Sequence, residues 1–415
     1  MDNMSMTNGR RAGAVPALGA ALALLTGCGG STGATGAGGE YTVMTWAPSG
    51  TGSADREGVT ALAGAIGRAT AARGGVGGHR LRVLTCNEHG TADGATACAR
   101  QAAVAHAVAV IGSYSEFGES FMPVLEQAGI PYIGGYGMTG PEFSSPYSYP
   151  VAGGTPTLIA GSGRQLVAAG CRQIALVRSD TRAGDTLARY LATAVAQSGV
   201  KPVDVKVPDK DPDYPAVVRK ALGEDRPGTC VSNALAPDRS GKLLEAYGKA
   251  APRNTRFGSV IGSVQQSALS AGGAAATLNG SFATGWYPPQ SSRVWDELRT
   301  TAADDRRIDT SDLGVQTTWV AYQVFLQAAD RLREAGTPLS AKTLRTQLDS
   351  GDTLDTGGAT PPLTWGMTDM LPSAESPRLV NTWVTFQQVR DGRLTEQQSG
   401  FVDVRWVLTG GKPPQ

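Results

Sequence analysis

The polar residues most able to bind a small ligand directly follow two short apolar runs. The run at residues 108–111 ends at a glycine and leads into hydroxyl, phenol and carboxyl groups. These are Ser113, Tyr114, Ser115 and Glu116. A second apolar run, residues 130–133, ends at another glycine-flanked loop. In open α/β sheets, ligands bind outside the carboxyl ends of the strands, so we expect both loops to face one crevice.

Alternating strand and helix patterns must position these loops. Strand patterns at residues 41–46 and 81–85, with the two apolar runs, give four strand-helix units and predict a first lobe. A segment rich in Pro, Ser, Tyr and Gly then predicts a crossing near Tyr149 to Gly153. Beyond it the rhythm restarts, with further strand patterns at 173–177, 203–207, 229–233, 257–261 and 280–285. A chain of 415 residues is long enough for two such lobes.

The remainder of the chain completes both lobes. A proline-marked segment, residues 286–290, predicts a second crossing, and helical patterns follow at 292–302, 312–334 and 340–348. Two late strand patterns, 382–389 and 401–404, close the chain.

The N-terminus has the pattern of an export signal. Arg10 and Arg11 precede an uncharged stretch, residues 12–25, which is too short to span a bilayer and suits a signal-peptide core. It ends in Leu-Thr-Gly-Cys28, which resembles the lipobox of bacterial lipoproteins, although a chance cysteine after an apolar leader is the alternative. We therefore expect a signal peptide over 1–27, a lipid anchor on Cys28, a flexible linker over 28–40 and a location on the outer face of the cytoplasmic membrane.

Four further cysteines suit an oxidising compartment. Cys86 ends a strand pattern and Cys98 lies in the next helix, which favours a disulfide between them. Zinc held by Cys86, His89 and Cys98 is the alternative, but a fourth ligand is missing. Cys171 and Cys230 each lie at a strand start, which favours a second disulfide.

Charge and motifs argue against several functions. Lys and Arg total 37 and Asp and Glu total 36, so the net charge of +1 gives no basic surface for nucleic acid. The sequence contains no nucleophile-elbow, metalloprotease or phosphate-loop motif. We therefore expect a monomeric protein that is not an enzyme and has no metal or cofactor.

The order of several segments resembles the leucine/isoleucine/valine-binding family of solute receptors for ABC importers. The segments are YTVMTWAPSGTG, GGVGGHRLRVLTCNE, VAVIGSYSEFGESFMPVLEQAGIPYIGG, PYSYPVAGG and CRQIALVRSD. The resemblance implies a type I periplasmic-binding fold, in which two similar doubly wound parallel-sheet α/β lobes are joined by three hinge crossings and close on a ligand. The third crossing would lie near Leu371 to Leu379. Lobe 1 would comprise 41–150 and 287–378, and lobe 2 would comprise 151–286 and 379–415.

The same resemblance implies a set of ligand contacts by position. From the first lobe these are Ser49, Thr51, Ser113, Tyr114, Ser115, Glu116, Tyr136, Met138 and Thr139. From the second lobe and its crossing they are Asp180, Arg182, Trp286 and Tyr287. Hydroxyls and backbone amides near helix starts suit a ligand carboxylate or another anion. The aromatic pair could stack on a ring or cation, or could simply pack at the hinge; Arg182 could clamp an anion or be a surface arginine.

The sequence departs from the family at one informative place. Amino-acid-binding relatives usually carry an acidic residue after the fourth strand of lobe 2, but the matching stretch here is Gly262 to Gln265. Glu116 or Asp180 could replace that acid. We expect a receptor that binds a small polar ligand, such as an amino acid, amide or short peptide, and passes it to ABC permease subunits. A ligand-sensing lipoprotein of the same fold without a transport role is the alternative.

Overall fold

The computed structural model describes residues 39–412, apart from 53, 54, 265, 267, 268 and 270–277. The predicted signal peptide, Cys28 and most of the predicted linker lie outside the described residues. Within the described part of the chain, no helix combines the length and apolar character needed to cross a membrane.

The first lobe is built on a sheet of five parallel strands. Strands β1 to β5 are Glu40–Ala47, Arg80–Asn87, Ala109–Ile111, Tyr132–Ile133 and Ser148–Tyr149. Their order is β2-β1-β3-β4-β5. Helices α1 to α4 are Glu57–Ala72, Ala92–Val104, Gly118–Ala128 and Gly140–Ser144. Four strands were expected in this lobe, and β5 is the fifth. It was not predicted because it has only two residues and no apolar run, and it lies in the segment that was predicted to be only a crossing.

The second lobe has a larger and mixed sheet. Strands β6 to β10 are Gln173–Ser179, Lys201–Val207, Thr229–Asn233, Arg256–Val260 and Phe282–Gly285. Strands β11 to β13 are Trp383–Arg390, Arg393–Glu396 and Val402–Asp403. The order is β12-β11-β10-β9-β8-β6-β7, with β13 beside β11, and β11 runs antiparallel to β10. Helices α5 to α8 are Gly154–Ala168, Arg182–Val195, Tyr214–Leu222 and Pro237–Ala250.

Three helices that follow β10 return to the first lobe. Helices α9 to α11 are Asp296–Ala302, Leu313–Glu334 and Ala341–Leu348, and α12, Arg405–Leu408, ends the described chain. Helix α10 packs against α1, β3 and β4, whereas α12 packs against α5 and α6. The predicted fold class, two α/β lobes with parallel sheets, is confirmed.

Two glycines let α10 approach the strand ends. Gly112 follows β3 with φ +60°, and a methyl group there would lie 2.6 Å from the Cα atom of Thr318 on α10. Gly134 follows β4 with φ +62°, and a methyl group there would lie 2.3 Å from the Cβ atom of Ala321. Both positions need the left-handed backbone and the absence of a side chain. The helix therefore fixes the points at which the two polar loops leave the sheet.

The three segments that join the lobes are hydrogen bonded to one another. The Trp286 indole N–H donates to the Gly154 carbonyl at 3.0 Å, and the Asn381 side-chain amide donates to the Val151 carbonyl at 2.8 Å. Thr385 at the start of β11 donates to the Tyr287 carbonyl at 2.7 Å. The crossings therefore form one connected hinge region.

Both predicted disulfides are present. Cys86 is bonded to Cys98, and Cys171 is bonded to Cys230. The first joins the end of β2 to α2, and the second joins the start of β8 to the segment before β6. The zinc alternative for Cys86, His89 and Cys98 is wrong, because both thiols are used in the disulfide. Such a cross-link contributes roughly 2 to 4 kcal/mol of stability.

Candidate functional site

The first-lobe serines predicted to face a ligand hold their own loop in place. The Ser113 hydroxyl accepts the backbone N–H of Trp46 at 3.0 Å and is 2% exposed. The Ser115 hydroxyl accepts the backbone N–H of Phe117 at 3.2 Å and is fully buried. Glu116 next to them is exposed. The hydroxyls therefore shape the loop between β3 and α3.

In the loop after β1, one predicted contact residue has its backbone held by a neighbouring side chain, and another has a buried hydroxyl. The Ser49 backbone exchanges two hydrogen bonds with the Asn87 side-chain amide, at 3.0 and 3.1 Å. The Thr51 hydroxyl is buried and has no hydrogen-bond partner among the described residues. Thr51 is thus the predicted contact in this loop whose polar group remains available.

A buried carboxylate that the sequence analysis missed organises the loop after β4. Glu142 accepts the backbone N–H groups of Gly137, Met138 and Thr139 at 3.1, 2.9 and 2.8 Å, and the Thr139 hydroxyl at 2.9 Å. Burial raises the pKa of Glu142, and these hydrogen bonds oppose the rise. Contrary to expectation, the three amides cannot bind a ligand carboxylate, because Glu142 already occupies them.

Four aromatic side chains form a continuous row beside these loops, which we call the aromatic row. Its members are Tyr114, Tyr136, Trp286 and Tyr287. Successive ring centres are 4.7, 5.4 and 6.2 Å apart. Tyr287 is 1% exposed and its hydroxyl is hydrogen bonded to Thr317, while Trp286 is 2% exposed and is held by Gly154. The two hinge aromatics therefore have packing partners, and Tyr136 lies between them and Tyr114.

Tyr136 also brings the first lobe against the second. A methyl group on Gly262 would lie 3.3 Å from the Tyr136 hydroxyl oxygen and 4.0 Å from a methyl carbon of Leu313. Gly262 lies just after β9, in the stretch where the expected acidic residue is missing. The remaining residue of that stretch, Gln265, lies outside the described residues. At this closest approach, the second lobe offers the Gly262 backbone and the first lobe offers the Tyr136 phenol.

Two charged residues beside the aromatic row were not expected. The Arg56 guanidinium carbon lies 4.9 Å from the Tyr114 ring centre, and Asp312 caps α10 by accepting the Val315 N–H at 3.0 Å. Burial lowers the pKa of Arg56, but Tyr114 and Asp312 outweigh this and leave it raised. Burial raises the pKa of Asp312, against the effects of Val315 and Arg56. Both residues line a cavity of about 300 Å³.

Burial also sets the charge state of Tyr114 and Tyr136, the first two members of the row. It raises the pKa of Tyr114 to about 12, against the opposing effect of Arg56, and it raises the pKa of Tyr136 well above its usual value. Both phenols therefore stay neutral at physiological pH and can exchange hydrogen bonds with a ligand without adding charge.

The predicted charged contacts of the second lobe lie at its surface. The Asp180 carboxylate pairs with Lys206 at 3.3 Å, and both side chains are about half exposed. Arg182 is exposed at the first residue of α6. A buried neighbour, Arg178, pairs with Asp185 and Asp204 at 2.6 Å each. These residues form a charge network around the start of α6, separate from the aromatic row.

No metal site accompanies these groups in the part of the chain that the structure describes. There, no cluster of three or more His, Cys, Asp or Glu side chains could hold an ion. The chemistry on offer is aromatic contact, hydroxyl groups and charged side chains of both signs, because Asp55, Glu57, Arg307 and Asp309 line the same cavity as Arg56 and Asp312. All of these groups suit reversible binding.

Comparison with known proteins agrees with this architecture. The sequence profile of the periplasmic binding protein family matches residues 31–392. The chain therefore belongs to the periplasmic binding protein family. The predicted family and the prediction that the chain is a binding protein rather than an enzyme are confirmed. No curated protein sequence matches the chain.

Solved structures share the fold at low sequence identity. A fatty acid ABC transporter substrate-binding protein from Thermomonospora curvata matches with a TM-score of 0.71, 14% identity and coverage of 88% of this chain and 94% of that one. A possible leucine/isoleucine/valine-binding protein from Rhodopirellula baltica matches at 0.69 and 14%, covering 87% and 97%. A solute-binding protein of an ABC transporter from Rhodopseudomonas palustris, in complex with 3,4-dihydroxybenzoic acid, matches at 0.69 and 15%, covering 88% and 98%.

Proposed function

We propose that the chain is an exported, lipid-anchored receptor that binds a small polar ligand between its lobes and delivers it to an ABC importer. The close approach of Tyr136 to Gly262 supports this most directly, because a methyl group on Gly262 would lie 3.3 Å from the Tyr136 hydroxyl oxygen and the aromatic row then borders both lobes. Closure of two lobes around a hinge is how such folds enclose a ligand. The three connected crossings supply the hinge.

We propose further that the ligand carries a carboxylate and does not need an ammonium group. Arg56 supplies a cation beside the Tyr114 ring, and Gly262 to Val264 carry no acid. Of the two carboxylates that act on Tyr114 in the described part of the chain, Asp312 already caps α10 and lies beside Arg56, and Glu116 is exposed on the loop after β3. Structural neighbours described as a fatty acid receptor and as a complex with 3,4-dihydroxybenzoic acid are compatible with this class.

A thermal-shift screen tests the binding proposal. Amino acids, amides, short peptides, aromatic acids and fatty acids would each be added to the purified protein. A ligand at 100 times its dissociation constant adds about 2.7 kcal/mol to the free energy of unfolding, which is easily detected. Arg56→Gln should weaken a carboxylate ligand about tenfold or more, whereas Arg100→Gln on the exposed face of α2 should not. Equal losses in the two variants, or no stabilising compound, would count against the proposal.

The lipid anchor is tested separately at Cys28. Cys28→Ser removes the sulfur that would carry the lipid, so the protein should move from the membrane fraction to the soluble fraction. Immunoblots of fractionated cells measure this directly. Retention of the variant in the membrane fraction would overturn the anchor.

Delivery to an importer is tested by uptake. Cells that lack the chain should lose uptake of the labelled ligand identified in the screen, and the full-length protein should restore it. Unchanged uptake, with binding intact, would favour the sensing role over transport.

A further inference from the structure

Arg405, the first residue of α12, reaches from the second lobe to the first. Its guanidinium donates to the Met370 carbonyl at 2.9 Å and approaches the Asp369 carbonyl at 3.4 Å. This contact is separate from the hydrogen bonds that join the crossings to one another. It is therefore an additional polar link between the lobes.

The second-lobe end of this link is fixed. The Arg405 backbone N–H donates to the Asp403 carboxylate at 2.8 Å, and the same carboxylate accepts the Thr382 hydroxyl at 2.7 Å. Asp403 also pairs with Trp383 at the start of β11, and α12 packs against α5 and α6. The guanidinium is therefore held to the second-lobe sheet.

The first-lobe end is fixed on both sides of the two acceptor carbonyls. Before them, Trp365 packs edge-on against Tyr149 of β5, with ring centres 5.8 Å apart. After them, the Arg378 backbone N–H donates to the Phe143 carbonyl of α4 at 2.9 Å, and its guanidinium donates to the Ser148 carbonyl of β5 at 2.9 Å. The carbonyls are therefore held to the first-lobe sheet.

The junction around Arg405 leaves room for movement. A cavity of about 330 Å³ lies there, and residues of both lobes line it, among them Thr364, Trp383 and Arg405. Glu375, on the same segment as the two carbonyls, pairs with Arg189 of α6 at 3.7 Å, but both side chains are 68% exposed. Such an exposed ion pair contributes little. The guanidinium is thus the stronger of these two links between the lobes, because a charge-assisted hydrogen bond exceeds an exposed pair.

We propose that Arg405 is a positioning residue that holds the lobes in the arrangement in which Tyr136 approaches Gly262. Because the two ends of its hydrogen bond move with different lobes, opening of the lobes stretches and breaks it. A bond that exists in one arrangement favours that arrangement. The consequence for ligand affinity rests on the proposed function. The effect on the lobes does not, because it can be measured without ligand.

The distance between the lobes in ligand-free protein gives the test. Spin labels on Glu119→Cys in α3 and Lys242→Cys in α8, both exposed, would report it by pulsed electron paramagnetic resonance. The labels are placed in the Cys28→Ser protein, because the other four of the five cysteines form disulfides. No further reactive thiol then competes with the two labelled positions.

Arg405→Met keeps a long side chain and removes every donor. It should lengthen the distance between the labels, and the ratio of the starting arrangement to more open ones should fall about tenfold. The matched control is Arg164→Met. The Arg164 guanidinium carbon lies 5.5 Å from the ring centre of Trp406 in the same helix, a contact within the second lobe. Its loss should leave the distance unchanged.

Arg405→Ala gives the same prediction if Arg405→Met does not fold. An unchanged distance in the folded Arg405 variant, or equal lengthening in Arg164→Met, would overturn the proposal. A ligand that needs the starting arrangement should bind the Arg405 variant up to about tenfold more weakly. A failed ligand screen would leave the measured distances unaffected, so the two proposals fail separately.

Discussion

The two faces of the proposed cleft are built in different ways. On the first lobe, buried polar groups hold each loop, with Glu142 binding the amides of residues 137–139 and Ser113 binding the backbone of β1. On the second lobe, the surface opposite Tyr136 is the backbone at Gly262, and the predicted ligand contact Asp180 pairs with Lys206 at the protein surface. The first lobe therefore presents loops that are held by its own buried polar groups, and the second presents a glycine backbone at the point of closest approach.

This difference changes the meaning of the polar residues in the first-lobe loops. Several of them hydrogen bond to their own backbone, so we infer that a ligand would meet mainly the ring faces of the aromatic row. The Arg56 guanidinium beside Tyr114 already donates to the Asp55 carbonyl at 2.7 Å. We expect the first lobe to keep its shape while the second moves against it. The following predictions test that asymmetry.

The largest effect is expected at Glu142. Glu142→Ala leaves three backbone donors and one hydroxyl without their acceptor, and should lower the free energy of unfolding by about 3 to 5 kcal/mol. Urea denaturation would measure it, with exposed Glu119→Ala as the control that removes the same charge from α3. A loss under about 1 kcal/mol would show that the loop is not held by this carboxylate.

A smaller loss is expected where α10 meets the strand ends. Gly112→Ala strains the left-handed backbone and collides with Thr318, and should cost about 2 to 4 kcal/mol. Gly129→Ala has the same backbone strain, with φ +71°, but nothing within 4 Å of the added methyl group, and should cost about 1 to 2 kcal/mol. The difference between the two variants measures the crowding by α10 alone, and equal losses would contradict the close packing.

The smallest effect is expected on the second lobe. Asp180→Asn removes an exposed ion pair with Lys206 and should change stability by less than about 1 kcal/mol. Thermal unfolding at low and high salt would measure it. A large loss of stability that does not depend on salt would show that this face of the second lobe is held by buried polar interactions, as the first lobe is.

Much of the fold could be predicted because it follows local patterns. The strand pattern at residues 229–233 and the apolar run at 108–111 correspond to β8 and β3, and the helical spacing of the apolar residues Val59, Leu62 and Ile66 corresponds to the buried face of α1. Both disulfides followed from the positions of the cysteines, three of them at or next to strand ends and Cys98 in the helix after β2. These features depend on residues close together in the sequence.

The interactions that hold the site together were not predicted. Some of them join residues that are distant in the sequence, and others follow local motifs that the sequence analysis did not use. Thr139 and Glu142 have the spacing of a capping box, which could have revealed the carboxylate. The dipeptide Asp391-Gly392 between β11 and β12 is a hairpin signal, and it could have revealed β12 and its pairing with β11. By contrast, Arg56 and Tyr114 are far apart in the sequence and come into contact only in the folded protein, so no local pattern predicts their contact.

The central claim is that a ligand binds where Tyr136 meets Gly262, and calorimetric titration of Gly262→Leu tests it most directly. A leucine side chain at residue 262 would collide with the Tyr136 hydroxyl, from which even a methyl group would lie only 3.3 Å, and so would hold the two lobes apart. Gly241→Leu adds the same side chain to an exposed face of α8, where nothing lies within 4 Å. We predict that the best ligand from the screen binds wild type and Gly241→Leu equally, and that Gly262→Leu loses about 100-fold in affinity without losing its fold. Undiminished binding by folded Gly262→Leu would contradict the account.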